Sequence, residues 1–182
     1  MKNDLFSIGP FTVHGYGLMI AIGVLSAYYM VEYRAKKKQM DWEKVFPLTV
    51  WSVLGGFLGS KILYLLTRLP DILANPALLG SSIKDGFVVY GGIIGGILTA
   101  WIYCKCTKWN FWKIFDIAMP AVAMAQGFGR IGCLLAGCCY GRELDPANPI
   151  GIVFHNSAYA PNDVALLPTQ IISSVLDFAN CF

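Results

Sequence analysis

Four long apolar runs, each almost free of charged residues, constrain this chain more than any other feature of its sequence. Between residues 10 and 33 the only charged side chain is that of Glu32. About 20 apolar residues are enough to cross the hydrocarbon core of a bilayer as a helix. Similar runs occupy residues 45–66, 86–103 and 114–136. We therefore expect an all-α, polytopic transmembrane helical bundle with four full spans.

The composition supports this class and excludes several others. The residues AVILMFWYC make up 56% of the 182 residues, and charged residues make up 14%. About 25% charged residues is usual in soluble domains. So apolar a chain is not a disordered segment, a nucleic-acid-binding module or an ordinary soluble core. Because the length corresponds to one domain, we expect residues 1–182 to form a single transmembrane domain in a lipid bilayer.

The basic residues mark one side of the membrane. Eight of the fourteen lysines and arginines lie in two loops, one after the first run and one between the third and fourth runs. Loops rich in Lys and Arg face the cytoplasm, so we predict that the N-terminus lies outside. A signal peptide carries its basic cluster before the apolar run; here the cluster follows it, so the run is expected to stay in the protein. The loops contain Arg34, Lys36, Lys37, Lys38, Lys44, Lys105, Lys108 and Lys113.

Glycines recur at Gly-x-x-x-Gly spacing in the second and third runs. This spacing lets membrane helices pack closely, and we favour packing over the alternative, in which a lipid headgroup approaches the backbone. The pairs are Gly55/Gly59, Gly91/Gly95 and Gly92/Gly96. The last run, residues 171–182, is too short to span. The sequence therefore predicts a truncated fifth span and an incomplete chain.

Arg130 is the leading candidate for a functional charge inside a span. Charged residues within membrane helices are costly and are functional candidates by default. Arg130 lies about two turns below the predicted external end of the fourth run, among Gly127, Gly129 and Gly132. A planar, permanently charged guanidinium beside glycine backbone suits a bound phosphate. Near the ends of their runs, Lys61 and Asp116 have a second interpretation as interfacial side chains.

Three other polar side chains are expected near the same external face, namely His14, Tyr16 and Tyr90. A lone tyrosine at the end of a membrane helix is usually an interfacial anchor. These residues become site candidates together with Arg130, because all four are expected at a similar depth.

Five of the six cysteines form two groups. Cys104 and Cys106 flank a lysine at the cytoplasmic end, where thiols stay reduced, and we interpret them as small apolar residues. Cys133, Cys138 and Cys139 follow Arg130. Three interpretations are open for them: a thiolate at Cys138 with a pKa lowered by Arg130, a disulfide from Cys138 to Cys133 or Cys139, with Cys133 favoured because a bond between adjacent cysteines is strained, and a metal site. No histidine stands at metal-finger spacing, so we predict no metal and no cofactor.

The segment GRIGCLLAGCCYGR, residues 129–142, resembles the signature G-R-x-G-N-F-x-N-x-E-x-x-G-R of the prolipoprotein diacylglyceryl transferases. Three other segments resemble motifs of that family in order and spacing. They are HGYGLM at residues 14–19, DG at 85–86 with YGGIIG at 90–95, and LPTQ at 167–170.

This resemblance implies a multi-pass enzyme of the bacterial plasma membrane with its active site toward the outer leaflet. The family moves a diacylglyceryl group from phosphatidylglycerol to the thiol of a lipobox cysteine on a prolipoprotein. The resemblance makes Arg130 the phosphate ligand. The other substrate-binding candidates are Gly129, Gly132, Cys133, Arg142 and His14, and the catalytic candidates are Tyr16, Tyr90 and Cys138.

Several positions depart from the family motifs. Tyr90 stands at the family's histidine, Cys133 and Ala136 at its two asparagines, Cys138 at its glutamate, and Ile172 and Ser173 at its later Tyr and Glu. The sequence therefore favours a membrane transferase of lipoprotein maturation. The alternative is a non-catalytic lipid-binding or thiol-redox membrane protein on the same fold.

Overall fold

The computed structural model describes residues 4–8, 11–75, 86–155, 157 and 159–181, with side chains described from residue 14 onward. Most of the described residues are helical, in agreement with the all-α prediction. The helices are α1 (Gly15–Lys37), α2 (Val45–Thr67), α3 (Leu69–Ala74), α4 (Val89–Cys106), α5 (Phe111–Ala136) and α6 (Thr169–Ala179). The strands are β1 (Asp4–Ile8), β2 (Phe11–His14), β3 (Ile152–Val153) and β4 (Ala165–Leu166). A 3₁₀ turn, Trp42–Lys44, leads into α2.

Four helices in the described ranges are long and apolar enough to cross a membrane, as the sequence predicts. The first of them differs from the predicted run at both ends. Residues 11–14 are not helical, because they form β2, which pairs antiparallel with β1. Helix α1 instead continues to Lys37, so its last turn carries part of the basic cluster. The short final helix, α6, occupies most of the predicted fifth run.

The contacts divide the chain into two compact units, each described separately below. One combines Met1–Arg34 with Asp116–Phe182, and the other is Ala35–Phe115. A single domain over residues 1–182 stays a prediction.

Within the unit Ala35–Phe115, helices α2 and α4 pack through their glycines. The backbones of Gly59 and Gly91 are in contact, and so are those of Gly55 and Gly95. A Cβ atom at any of these positions would overlap the facing helix. The prediction that the Gly-x-x-x-Gly spacing serves helix packing is confirmed. Cys104 is buried beside Leu48 and Ile114, which confirms its interpretation as a small apolar core residue.

In the other unit, α6 packs against the second half of α5. Phe178 makes an edge-to-face contact with Phe128, the ring centroids lying 5.1 Å apart. One turn earlier the buried Ser174 hydroxyl donates to the carbonyl of Gly127 at 3.0 Å. The loop between the two helices has its own small core around Phe154. These contacts fix the second half of α5 relative to α6.

Candidate functional site

Arg130 lies on α5, six residues before the last residue of the helix, Ala136. It is partly buried. Residues three apart on a helix share a face, so Arg130 and Cys133 face the same way. Within the described part of the chain, the guanidinium of Arg130 has no hydrogen bond and no ion pair. A charge in a membrane helix calls for a partner. An anion outside the described chain can supply it.

Tyr16 lies beside this segment, in the first turn of α1. Its ring and backbone oxygen approach the buried Gly132 so closely that a Cβ there would lie 3.1 Å from the ring. The Tyr16 phenol also lies in the neighbourhood of Cys133, Cys138 and Cys139. The structure thus brings Tyr16 close to three predicted site residues, Gly132, Cys133 and Cys138, that lie more than 110 positions later in the sequence. Tyr16 is 42% exposed.

Helix α5 ends in a glycine cap that determines where the following cysteines lie. Gly137 has a φ of +72°. Its N–H donates to the carbonyl of Leu134 at 3.2 Å, and the N–H of Cys138 donates to the carbonyl of Cys133 at 3.0 Å. These two bonds define the Schellman motif, in which the side chains of the outer pair meet. Here the outer pair consists of Cys133 and Cys138.

The cap and the next residue gather three thiols. Cys139 also has a positive φ, +58°, and its sulfur returns toward the helix end. The sulfur atoms of Cys133, Cys138 and Cys139 all lie within 4.8 Å of one another. All three are free thiols in the structure, the first two partly buried and the third exposed. The disulfide considered from the sequence is therefore not formed here.

The LPTQ segment holds the cysteines from the other side. The Thr169 hydroxyl donates to the carbonyl of Cys139, and the amide of Gln170 donates to the carbonyl of Cys138, both at 2.8 Å. Gln170 is 1% exposed, and its side-chain oxygen has no hydrogen-bond partner among the described residues. The site candidates did not include Thr169 or Gln170, although the motif that contains them was a recognisable signal.

The end of the signature is held by backbone pairing. Gly141 donates to the carbonyl of Leu167 and Leu167 donates to the carbonyl of Arg142, both at 3.0 Å. The Arg142 side chain is exposed. The pairing places residues 141–142 next to the LPTQ segment, so two separate motifs form one local structure.

Of the interpretations open for Cys138, the thiolate is disfavoured by the surroundings of this residue. Burial raises the pKa of this thiol above its usual value, and the neighbouring Cys139 raises it further, while a hydrogen bond with Cys133 acts in the opposite direction. A raised pKa means that Cys138 keeps its proton at neutral pH. The thiolate interpretation rests on the charge of Arg130 alone, whereas desolvation acts against it.

The remaining candidates lie elsewhere. His14 ends β2, directly before α1, and is exposed. Tyr90 belongs to the unit Ala35–Phe115, in the first turn of α4, and is 74% exposed. In that same unit Lys61 donates to the carbonyl of Gly86 at 3.2 Å and lies over the ring of Phe87. Gly129 has room around it, since a Cβ there would meet no described atom within 4 Å.

Comparison with known proteins gives a consistent result. A family model described as prolipoprotein diacylglyceryl transferase matches residues 3–182. The chain is 44% identical over 182 residues to the phosphatidylglycerol–prolipoprotein diacylglyceryl transferase of Clostridium tetani, covering 100% of this chain and 72% of that protein. It is 43% identical over 179 residues to a second enzyme of that name from Clostridium perfringens, covering 98% and 69%. For the Salmonella arizonae enzyme the identity is 38% over 169 residues, covering 91% and 57%.

The glycine–arginine signature on α5, the packing of Tyr16 against it and the match over nearly the whole length point the same way. This chain is a multi-pass membrane transferase and belongs to the prolipoprotein diacylglyceryl transferase family.

Proposed function

We propose that this protein transfers a diacylglyceryl group from phosphatidylglycerol to the lipobox cysteine of a prolipoprotein. In this reaction the acceptor sulfur forms a bond to a glycerol carbon. The carbon–oxygen bond to the phosphate breaks, and its electron pair leaves with glycerol phosphate. The acceptor thiol loses its proton to a base. The single observation that carries the proposal is Arg130, a partly buried cation without a partner among the described residues.

Arg130 is proposed to hold the phosphate of the lipid. Its planar fork matches two phosphate oxygens at once, and it offsets the charge that grows on the leaving group. Gly129 and Gly132 provide backbone next to it, Gly129 with open space. His14 and Arg142 are proposed to contribute to lipid binding from the two ends of the site.

The proposed roles of the hydroxyl and thiol groups follow from their protonation. Cys138 keeps its proton at neutral pH because burial raises its pKa, so we assign it as a hydrogen-bond donor to the phosphate and not as a base. Tyr16 is assigned as a second donor, and Cys133 lines the site beside it. Tyr90 keeps the catalytic role that its motif position predicts.

The orientation proposed is an outward N-terminus with the site toward the outer leaflet of the plasma membrane. The two basic loops follow α1 and α4, whereas the proposed site lies at the start of α1 and the end of α5. The basic loops are therefore expected at the end of the spans opposite the site, which supports this orientation through the positive-inside rule.

The test is transfer of labelled diacylglyceryl from phosphatidylglycerol to a lipobox peptide by the purified full chain and its Arg130 variants. Arg130→Ala removes a charge-assisted contact of about 1.5–3 kcal/mol, so phosphatidylglycerol binding should weaken by roughly ten- to a hundredfold. Arg130→Lys keeps the charge without the fork and should give an intermediate loss. Arg68→Ala is the matched control, because Arg68 pairs with the exposed Asp71 outside the site.

Two results would contradict the proposal. Unchanged lipid binding in a folded Arg130→Ala protein would remove Arg130 from the site. Lipid binding without any transfer to the peptide would instead favour the lipid-binding alternative on the same fold.

A further inference from the structure

We propose that Cys133, Cys138 and Cys139 form a binding site for a soft, thiolate-seeking metal ion of the Cu⁺ or Zn²⁺ class. Among the described residues these three are the group whose sulfur, nitrogen or carboxylate atoms come close enough to hold one ion. The sequence alone predicts no metal in this protein, because it does not show that the three sulfur atoms converge.

The convergence is built into the backbone. The glycine cap at Gly137 places Cys133 and Cys138 side by side. The positive φ of Cys139, +58°, is a conformation that costs a non-glycine residue free energy, and it turns the third sulfur back to the first two. Hydrogen bonds from Thr169 and Gln170 hold the carbonyls of the last two cysteines. The three ligands are thus held by contacts that do not depend on a metal.

The spacing fits a thiolate-bound ion. With metal–sulfur bonds of about 2.3 Å, sulfur atoms lie about 3.8 Å apart around a tetrahedral ion and about 4.0 Å apart around a trigonal one. In the structure no two of the three sulfur atoms are more than 4.8 Å apart. Closing the difference requires small rotations of side chains, not movement of the backbone. A disulfide would need two of the sulfur atoms at about 2.05 Å, a much larger displacement.

The ligand chemistry selects soft ions. Thiolates prefer Cu⁺ and Zn²⁺, whereas Mg²⁺ and Ca²⁺ require oxygen ligands. Three sulfur ligands complete a trigonal Cu⁺ site, while Zn²⁺ would keep one position for water. Exposure of Cys139 gives an ion a path to the partly buried pair. Under the proposed function, a bound ion would replace the Cys138 thiol proton, so the metal-bound form should be a poorer transferase.

The experiment uses the full chain in detergent, reduced and stripped of metal with a chelator. Zn²⁺ and Cu⁺ are titrated separately, each in competition with a chromophoric chelator, and Cd²⁺ provides a thiolate–metal charge-transfer band. We expect one ion per chain, no competition from Mg²⁺, and protection of all three cysteines from alkylation as mapped by mass spectrometry. The protection readout needs no variant and does not depend on transferase activity, so it can fail or succeed independently of the proposed function.

Serine variants identify the ligands. Cys133→Ser, Cys138→Ser and Cys139→Ser should each lower the affinity by roughly a hundredfold or more, since changes outside the ligand shell already cost 10–100-fold. The double variant Cys104→Ser/Cys106→Ser is the matched control and should keep full binding. The proposal is overturned if this control loses the ion, if binding is no tighter than for Mg²⁺, or if protein isolated without reductant contains a disulfide through Cys138.

Discussion

Cys138 is where a single residue changes the chemistry of this site most. A thiol stands at the position of the family motif's glutamate, and its raised pKa keeps it uncharged at neutral pH. A glutamate at this position would bring a negative charge to the end of α5. With a neutral thiol there, that charge is absent from the site proposed for the lipid phosphate. Under the proposed function the thiol therefore repels the phosphate less than a glutamate would, but it cannot act as a base at neutral pH.

The protonation of Cys138 can be tested through its reactivity. Burial disfavours the thiolate, so in reduced, metal-free protein its alkylation at pH 7–8 should be slower than that of a free thiol, whose pKa is about 8.5. The rate should rise with pH and reach half its maximum above that value. Mass spectrometry of time-resolved alkylation gives the profile, with glutathione as the reference. A midpoint below that of glutathione would restore the thiolate interpretation.

Gly129 and Gly127 allow packing to be separated from ligand binding. A methyl group at Gly129 meets open space, whereas one at Gly127 would lie 2.8 Å from the ring of Phe178. Gly129→Ala should therefore fold normally but weaken phosphatidylglycerol binding, because the methyl group would stand where the lipid is proposed to approach. Gly127→Ala should destabilise the fold by about 1–3 kcal/mol through overpacking. Lipid binding and SDS-induced unfolding, measured on both variants, distinguish these effects; full lipid affinity in Gly129→Ala would refute the first.

At the scale of elements, the glycine cap of α5 should be a point of stability and of site geometry. Gly137→Ala forces a side chain into the left-handed region, at a cost of about 1–2 kcal/mol, and its Cβ would overlap the Ser157 hydroxyl. We expect a less stable protein in which Cys133 and Cys138 crosslink less readily with a short bifunctional thiol reagent. Gly17→Ala is the control, since Gly17 lies inside α1 with no described atom near its Cβ position. Equal crosslinking in both variants would mean that the cap does not place the thiols.

The elements also show which parts of the structure a sequence can predict. Hydropathy located the four long helices, and the Gly-x-x-x-Gly spacing located the α2–α4 contact, because both signals are local and periodic. The predicted start of α1 was wrong, since residues 11–14 pair with the preceding strand β1 and this pairing overrides their apolar character. The convergence of the three thiols could not be predicted from hydropathy or spacing. It needs a positive φ at Cys139 and hydrogen bonds from residues about 30 positions away.

At the scale of the whole molecule, the two basic loops belong to one end of the spans. Within the unit Ala35–Phe115, the hydroxyl of Tyr103 donates to the carbonyl of Lys44 at 3.2 Å, and the ammonium of Lys44 lies over the ring of Trp109. The loop before α2 and the loop after α4 are therefore in direct contact. Lys36 lies over the ring of Trp42 at 4.2 Å in the same region. Lysine and tryptophan together are typical of a membrane interface.

This shared end leads to a prediction about orientation. Since both loops meet, they lie on the same side of the membrane, and their lysines predict that this side faces the cytoplasm. In a background with Cys106 and Cys139 replaced by serine, Lys37→Cys should react with a membrane-impermeant thiol reagent only after the cells are opened. Ala147→Cys, in the exposed loop after α5, should react in intact cells and serves as the control. Labelling of Lys37→Cys in intact cells would mean that the protein has the opposite orientation. The proposed site would then lie toward the cytoplasmic leaflet, and the proposal of an active site toward the outer leaflet would fail with the orientation.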